Sequence, residues 1–166
     1  MKVVSLEEAV GVIPDGASVM IGGFMAVGTP ERLLDELVRQ RKSNLYVIAN
    51  DAALPGKGIG KLVDAGLVTR MIASHIGLNP KAQQLMMAQK MAIDLVPQGT
   101  LVERIRAGGC GLGGILTPTG VGTTVDRASR GSKSAEKPIC WRRPCVPTSL
   151  WSIRSWPTIS AIFNMR

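Results

Sequence analysis

The chain has 166 residues and a formal net charge of +8 at neutral pH. This length is typical of one ordinary domain. Apolar residues make up 45% and charged residues 19%, a composition that excludes a disordered protein. No apolar run reaches the roughly 18 residues of a membrane span, so we do not expect an integral membrane protein. The N-terminus carries Glu7 and Glu8, where a signal peptide would be apolar. We therefore expect a cytoplasmic protein.

The first predicted elements are a short helix and a buried strand. Ser5 and Glu8 have the spacing of a capping box, in which each side chain accepts a hydrogen bond from the other residue's backbone N–H. Residues 14–16 (Pro-Asp-Gly) form a turn sequence that ends the helix. Residues 17–21 are apolar apart from one serine and predict a strand.

A second helix is predicted after a glycine-rich stretch. Thr29 suits an N-cap, with Pro30 at the first helical position. Four apolar residues then follow at helical spacing and predict one buried face: Leu33, Leu34, Leu37 and Val38.

Strand and helix signals continue to alternate along the chain. Strands are predicted over residues 44–49, 68–74 and 92–96, and helices over residues 58–65 and 80–90. Thr100 starts another helix, and Glu103 completes a second capping box. Short apolar strands that alternate with helices predict an α/β fold with a parallel sheet covered by helices.

The densest glycine pattern lies between the first strand and the second helix. It comprises Gly22, Gly23, Phe24, Met25, Ala26, Val27 and Gly28. Glycines let a backbone approach a ligand, and the N-terminus of the following helix can offer N–H groups to an anion. The spacing matches neither the dinucleotide fingerprint nor a P-loop, so a ligand loop and a tight structural turn both remain open.

Three further features could carry chemistry or merely stabilise loops. Gln98 follows a predicted strand, where open α/β sheets bind ligands, so its amide can face a substrate or stabilise its loop. His75 is interpreted as a hydrogen-bonded structural histidine. Residues 108–114 hold too many glycines for a regular element and predict a turn.

No cysteine and histidine spacing fits a metal site, so no metal is expected.

Several segments, taken in order, resemble the alpha subunit of family I coenzyme A transferases. They are residues 15–16, 22–30, 44–51, 74–80, 95–101, 103–109 and 117–123. Together they cover nearly all of residues 3–125, which is more specific than any single glycine loop. Residues 74–77 and 117–121 favour the acetate/acetoacetate (short-chain acyl) group over the 3-oxoadipate group.

The resemblance implies an enzyme that moves coenzyme A between carboxylic acids. A glutamate attacks the acyl-CoA, and an anhydride and a glutamyl-CoA thioester follow as covalent intermediates. In two-subunit members this glutamate belongs to the beta subunit, so the chain is not expected to catalyse alone. The resemblance also implies an open, mostly parallel sheet with helices on both faces and a heterotetramer of two alpha and two beta subunits.

The resemblance assigns roles to two of the features described above. Gln98 matches the glutamine whose amide stabilises the developing oxyanion. Residues 22–28 match the loop that binds coenzyme A. The implied substrates are an acyl-CoA and a short-chain carboxylic or 3-oxo acid, with no permanently bound cofactor.

The resemblance stops near Val125, where the composition changes. Residues 1–125 hold 12 Lys/Arg against 10 Asp/Glu, whereas residues 126–166 hold 8 against 2. All three tryptophans and seven serines also lie in the second segment. We therefore divide the chain into an alpha-subunit part, residues 1–125, and a basic tail, residues 126–166.

Our hypothesis for this tail is a shift of reading frame. In the frame one base earlier, each codon ends in the first two bases of the codon that is translated here. Residues 139–142 then permit Tyr-Leu-Leu-Glu, and residues 157–165 permit Ala-Asp-x-x-Gly-Asn-Leu-x-Tyr. Both resemble what the family carries at these distances, so the tail is interpreted as out-of-frame and its basicity as no sign of nucleic-acid binding.

Three hypotheses follow for the chain as written. The first is an alpha subunit of a short-chain acyl coenzyme A transferase. The second is an inactive, truncated remnant of that subunit, whose incomplete sheet leaves an unpaired edge and forms no stable complex with a beta subunit. The third, a basic module that binds nucleic acid or a membrane, is disfavoured by the charge distribution and by the frame.

Overall fold

A computed structural model describes residues 4–125, 130–133 and 138–142 of the chain. The described residues divide into two compact units. The first unit contains the described residues up to Leu95, and the second contains those from Val96 onward.

The first unit alternates helices and strands as the sequence predicts. Its elements are α1 (Leu6–Gly11), β1 (Ser18–Ile21), α2 (Glu31–Arg39), β2 (Leu45–Ala49), α3 (Gly60–Asp64), β3 (Val68–Ala73), α4 (Pro80–Met87) and β4 (Ala92–Leu95). The four strands pair in parallel in the order β1-β2-β3-β4. The predicted α/β class with a parallel sheet is therefore confirmed.

The core of this unit lies between the sheet and a layer of helices. Leu45, Val47 and Ala49 alternate along β2 and join the same apolar cluster as Leu34 and Leu37 of α2. All four residues of the predicted apolar stripe of α2 pack in or against this cluster. Helices α1 to α4 contact one another in chain order, so they form one layer.

One of the two helix caps predicted for this unit is correct. Ser5 accepts from the Glu8 N–H at 3.1 Å while the Glu8 carboxylate accepts from the Ser5 N–H at 3.0 Å, which confirms the capping box. The prediction that Thr29 caps α2 is wrong, because Pro30 is the N-cap and no side chain caps this helix. The Thr29 hydroxyl instead lies against Gly23, in the space that a Cβ would need.

The second unit contains a helix and an antiparallel sheet. The helix α5 spans Gln98–Gly109, and β5 (Ile115–Thr117), β6 (Arg130–Lys133) and β7 (Pro138–Arg142) pair in the order β5-β7-β6. The sequence did not predict this sheet. Two of its strands lie in the predicted tail, and the division at Val125 stays a prediction.

Two predictions about α5 are wrong. Thr100 and Glu103 form no capping box, because the helix begins at Gln98 with Pro97 as its N-cap. Thr100 is buried in the first turn, and Glu103 pairs with Arg106 instead. The helix also continues through Gly108 and Gly109, two glycines of the cluster in which a turn was predicted, and Ala107 and Gly108 are buried there.

Candidate functional site

The glycine-rich segment folds into a two-residue β-hairpin at the carboxyl end of β1. The Phe24 N–H donates to the Val27 carbonyl at 3.0 Å, and the Val27 N–H donates to the Phe24 carbonyl at 2.8 Å. The two central residues, Met25 and Ala26, have φ of 52° and 70°. Positive φ at both central positions defines a type I′ turn, which normally takes Asn-Gly. We call residues 24–27 the hairpin.

The non-glycine residues at the turn hold a strained backbone. Side chains with a Cβ adopt positive φ rarely, and such residues persist only where the surroundings fix them. Ala53, in the loop that follows β2, also has a positive φ, of 51°. Three strained residues therefore lie in the loops that follow two neighbouring strands, at the edge where open α/β sheets bind ligands.

Gly23 is required at the base of the hairpin. Its φ is 113°, and a Cβ there would lie 3.0 Å from both the Thr29 nitrogen and the Val27 carbonyl oxygen. Gly58, in the loop that follows β2, is also required, because a Cβ there would lie 2.9 Å from the Ala26 Cβ. The glycines thus let the two loops pack together, as close backbone approach demands.

Two side chains at the end of β2 hold the hairpin. The Asp51 Oδ2 accepts from the Met25 N–H at 2.9 Å, and the Asn50 Nδ2 donates to the Gly23 carbonyl at 2.8 Å. Asp51 is only 2% exposed, so its carboxylate is a buried acceptor in this contact. We call this pair the Asn50–Asp51 clamp.

The first residue of α2, Glu31, is acidic, and its carboxylate already has partners. The Glu31 carboxylate accepts from the Gly58 N–H at 2.8 Å and pairs with Lys61 at 2.5 Å. Hydrogen bonds to Asp35 and Glu31 raise the pKa of Lys61 above its usual value, so this ammonium stays charged. Glu31 therefore already places a negative charge in the first turn of α2.

The outward side chains of the hairpin are apolar. Phe24 is 53% exposed and Val27 is 78% exposed, and Met25 is exposed as well. Exposed apolar groups on a rigid loop favour contact with an uncharged ligand segment over contact with a phosphate.

Gln98 lies in the second unit, where it is the first residue of α5 and not a loop residue as predicted. It is exposed, as is Gly99. Next to it, an open cleft of about 480 Å³ lies between the first turns of α5 and residues 112–119. The cleft is lined in part by Thr100, whose buried hydroxyl has no hydrogen-bond partner among the described residues, and by Arg106. An exposed amide beside such a cleft can donate to a substrate oxygen.

His75 differs from its predicted role. Its imidazole is exposed and lies against Gly77, and none of the hydrogen bonds between described residues uses its ring. Asn50 and Asp51 were not predicted as site residues, and their only signal in the sequence is their position at the end of a predicted strand. Among the described residues, no group of three or more His, Cys, Asp or Glu side chains could hold a metal ion.

None of the described helices is long and apolar enough to cross a bilayer. The helix with the most residues, α5, has 12.

Comparison with known proteins gives one family. The model of the family described as coenzyme A transferase matches residues 3–140, which reach past Val125. The acetate CoA-transferase subunit alpha of Escherichia coli K12 is 50% identical over 129 residues, which are 78% of this chain and 59% of that protein. The acetoacetyl-CoA:acetate/butyrate CoA transferase alpha subunit of Clostridium acetobutylicum is 46% identical over the same shares.

The solved structures give the same fold. An acyl-CoA transferase from Escherichia coli O157:H7, solved as a thioester complex with CoA, matches with a TM-score of 0.76 and 25% identity. That match covers 87% of this chain and 32% of the solved chain. The chain thus spans about three fifths of the two curated relatives and a third of this longer enzyme.

Proposed function

The chain belongs to the coenzyme A transferase family, and we propose that it is the alpha-subunit part of a short-chain acyl coenzyme A transferase of the acetate/acetoacetate type. Two relatives named as alpha subunits, at 50% and 46% identity, support the subunit type and the short-chain acids. The proposed reaction moves coenzyme A from an acyl-CoA to a short-chain carboxylic or 3-oxo acid.

The observation that carries this proposal is the hairpin. A rigid, strained loop lies at the carboxyl end of β1, beside the end of β2, where ligands bind in open α/β sheets. In our proposal residues 22–28 contact coenzyme A. Since the exposed side chains of the hairpin are apolar and Glu31 occupies the start of α2, we assign to this loop the uncharged pantetheine arm and not the phosphates.

The chemistry proposed for this chain is support of a nucleophile that another chain supplies. A beta subunit provides the glutamate that attacks the acyl-CoA carbonyl, and the Gln98 amide donates a hydrogen bond to the oxygen as its negative charge grows. Such a donor acts in the transition state more than in the ground state, so it lowers the barrier. Coenzyme A enters and leaves as substrate, and the partner is a beta subunit in an assembly of two alpha and two beta subunits.

A second candidate is an inactive remnant of the same subunit. The observation that favours it is the abrupt change of charge and tryptophan content after Val125. The two candidates share the family and differ in whether transfer survives.

Transfer between acetyl-CoA and acetoacetate, measured after mixing the chain with the beta subunit of a relative, tests the proposal. We expect no transfer by either chain alone and transfer by the mixture. Gln98→Ala should lower kcat by about a hundredfold with little change in KM, as the loss of one oxyanion donor does. Gln83→Ala, which removes an amide on α4 that bonds the Ile76 and Gly77 carbonyls, is the matched control and should keep kcat. A folded chain that supports no transfer in the mixture indicates the remnant.

A further inference from the structure

We propose that Asp51, together with Asn50, is a positioning residue that holds the hairpin in the conformation that meets coenzyme A; this rests on the proposed function of residues 22–28. Neither residue is required to touch the ligand. Their action is on the backbone of the loop, through the Met25 N–H and the Gly23 carbonyl.

The turn of the hairpin is strained. Met25 and Ala26 occupy the two positive-φ positions of a type I′ turn, which Asn-Gly would occupy at lower cost. In a flexible loop this sequence would relax to another turn. Something outside the turn must therefore fix it, as is general for strained backbone.

The clamp supplies that constraint at the strained residues. Asp51 accepts a hydrogen bond from the N–H of Met25, the first of the two central residues of the turn. A carboxylate makes a stronger hydrogen bond than a neutral acceptor does. Asn50 fixes the Gly23 carbonyl on the other side of the hairpin. The clamp is itself fixed, because the Ser74 hydroxyl and the Ser74 N–H both donate to the Asn50 carbonyl, at 2.7 and 2.9 Å.

Burial explains why the clamp can be stiff. Asp51 is 2% exposed, and Ala52 and Ala53 after it are equally buried, so the acceptor belongs to the packed end of the sheet. Three of the four hairpin residues, Phe24, Met25 and Val27, are exposed. A buried residue at the end of β2 thus fixes the backbone of an exposed loop whose apolar side chains face solvent.

The first measurement is hydrogen exchange of the full chain, read on a peptide that covers residues 22–28. Asp51→Ala should speed exchange there by about tenfold, as the loss of a hydrogen bond to a charged acceptor predicts. Asp51→Asn keeps an acceptor oxygen and should stay within about threefold of the parent. Asn50→Ala removes the other anchor and should behave as Asp51→Ala does, so the result does not depend on one variant folding.

Asp15→Ala is the matched control. Asp15 accepts from the Ser43 N–H at 2.6 Å, so it also joins two loops that are far apart in the sequence. It precedes β1 and therefore lies at the amino end of this strand, whereas the hairpin follows its carboxyl end. Its loss should leave exchange of residues 22–28 unchanged. Equal effects of Asp51→Ala and Asp15→Ala on this peptide would overturn the proposal, because they would show general destabilisation.

The second measurement is affinity for coenzyme A itself, in two backgrounds. Asp51→Ala should weaken binding by about tenfold in the parent chain, in proportion to the lost hydrogen bond. In a chain that carries Met25→Asn and Ala26→Gly, whose turn prefers positive φ, the same substitution should cost less than about threefold. An equal loss in both backgrounds would overturn the proposal, because a residue that merely stabilises the fold is indifferent to the turn sequence.

The two proposals fail separately. If coenzyme A does not slow exchange of residues 22–28 in the parent chain, the assigned role of this loop in binding is wrong. Even if that role is wrong, the clamp is supported when Asp51→Ala speeds exchange of this peptide and Asp15→Ala does not.

Discussion

At the residue scale, the ion pair at the end of α2 makes a pH prediction. The Arg39 guanidinium and the Gln40 amide both donate to the Glu36 carboxylate, at distances of 2.6 to 2.7 Å. These hydrogen bonds, with Arg39 the largest cause, lower the pKa of Glu36 from 4.5 to about 2. A carboxyl whose pKa falls on folding contributes stability above its unfolded pKa, and this contribution disappears as the pH falls through the folded pKa.

Glu36→Gln should therefore lower the melting temperature at neutral pH. The difference between parent and variant should be constant above pH 4.5 and should shrink between pH 4.5 and pH 2. Thermal unfolding followed by circular dichroism over this range measures it. A difference that is the same at pH 2 and at pH 7 would contradict the assigned interaction.

Residue patterns with a local cause were predictable from the sequence. The capping box of Ser5 and Glu8 depends on two residues three positions apart and forms as predicted. Thr29 also fits a local rule, yet its hydroxyl lies against Gly23 instead, because the hairpin brings this glycine beside it. The clamp of Asn50 and Asp51 was not predictable, because its contacts join residues 26 and 27 positions apart.

At the element scale, the start of α4 depends on one buried side chain. Asn79 is fully buried, accepts from the Ala82 N–H at 3.0 Å as the N-cap, and donates to the Ala52 carbonyl at 3.0 Å. It thereby ties α4 to the loop that follows β2. The sequence predicted the helix from Pro80, which is correct, but gave no sign of this second contact.

Asn79→Ala should lower the free energy of unfolding by about 2 kcal/mol, because it removes a cap and leaves a buried carbonyl without its partner. Ser5→Ala is the control, since it removes a cap at an exposed helix start and should cost about 1 kcal/mol or less. Urea unfolding of the two variants measures both values. Equal losses would show that the contact with Ala52 contributes nothing.

Elements with a strong period were predictable, and their boundaries were not. The four strands of the first unit lie within the predicted ranges, as β2 (Leu45–Ala49) does within 44–49. The helix over 58–65 shortens to Gly60–Asp64, where a Cβ on Gly60 would overlap the Leu54 carbonyl. The first residue of this helix thus packs against the preceding loop, a contact that the sequence pattern does not report.

At the scale of the whole molecule, we propose that residues after about Val125 are translated out of frame. The abrupt change of charge and tryptophan content supports this, as do the family-like residues that the earlier frame permits. The intact mass of the protein made from its native gene tests it. A mass several kilodaltons above 17.6 kDa is the expected result, whereas a mass near 17.6 kDa would show that the tail is real.

The central claim is that this chain supports a nucleophile that a beta subunit carries. Intact mass spectrometry of the mixed chains, after reaction with acyl-CoA, tests it most directly. We predict a coenzyme A adduct on the beta subunit, formed only when this chain is present, and no adduct on this chain. An adduct on this chain, or one that forms on the beta subunit equally well without it, would contradict the account.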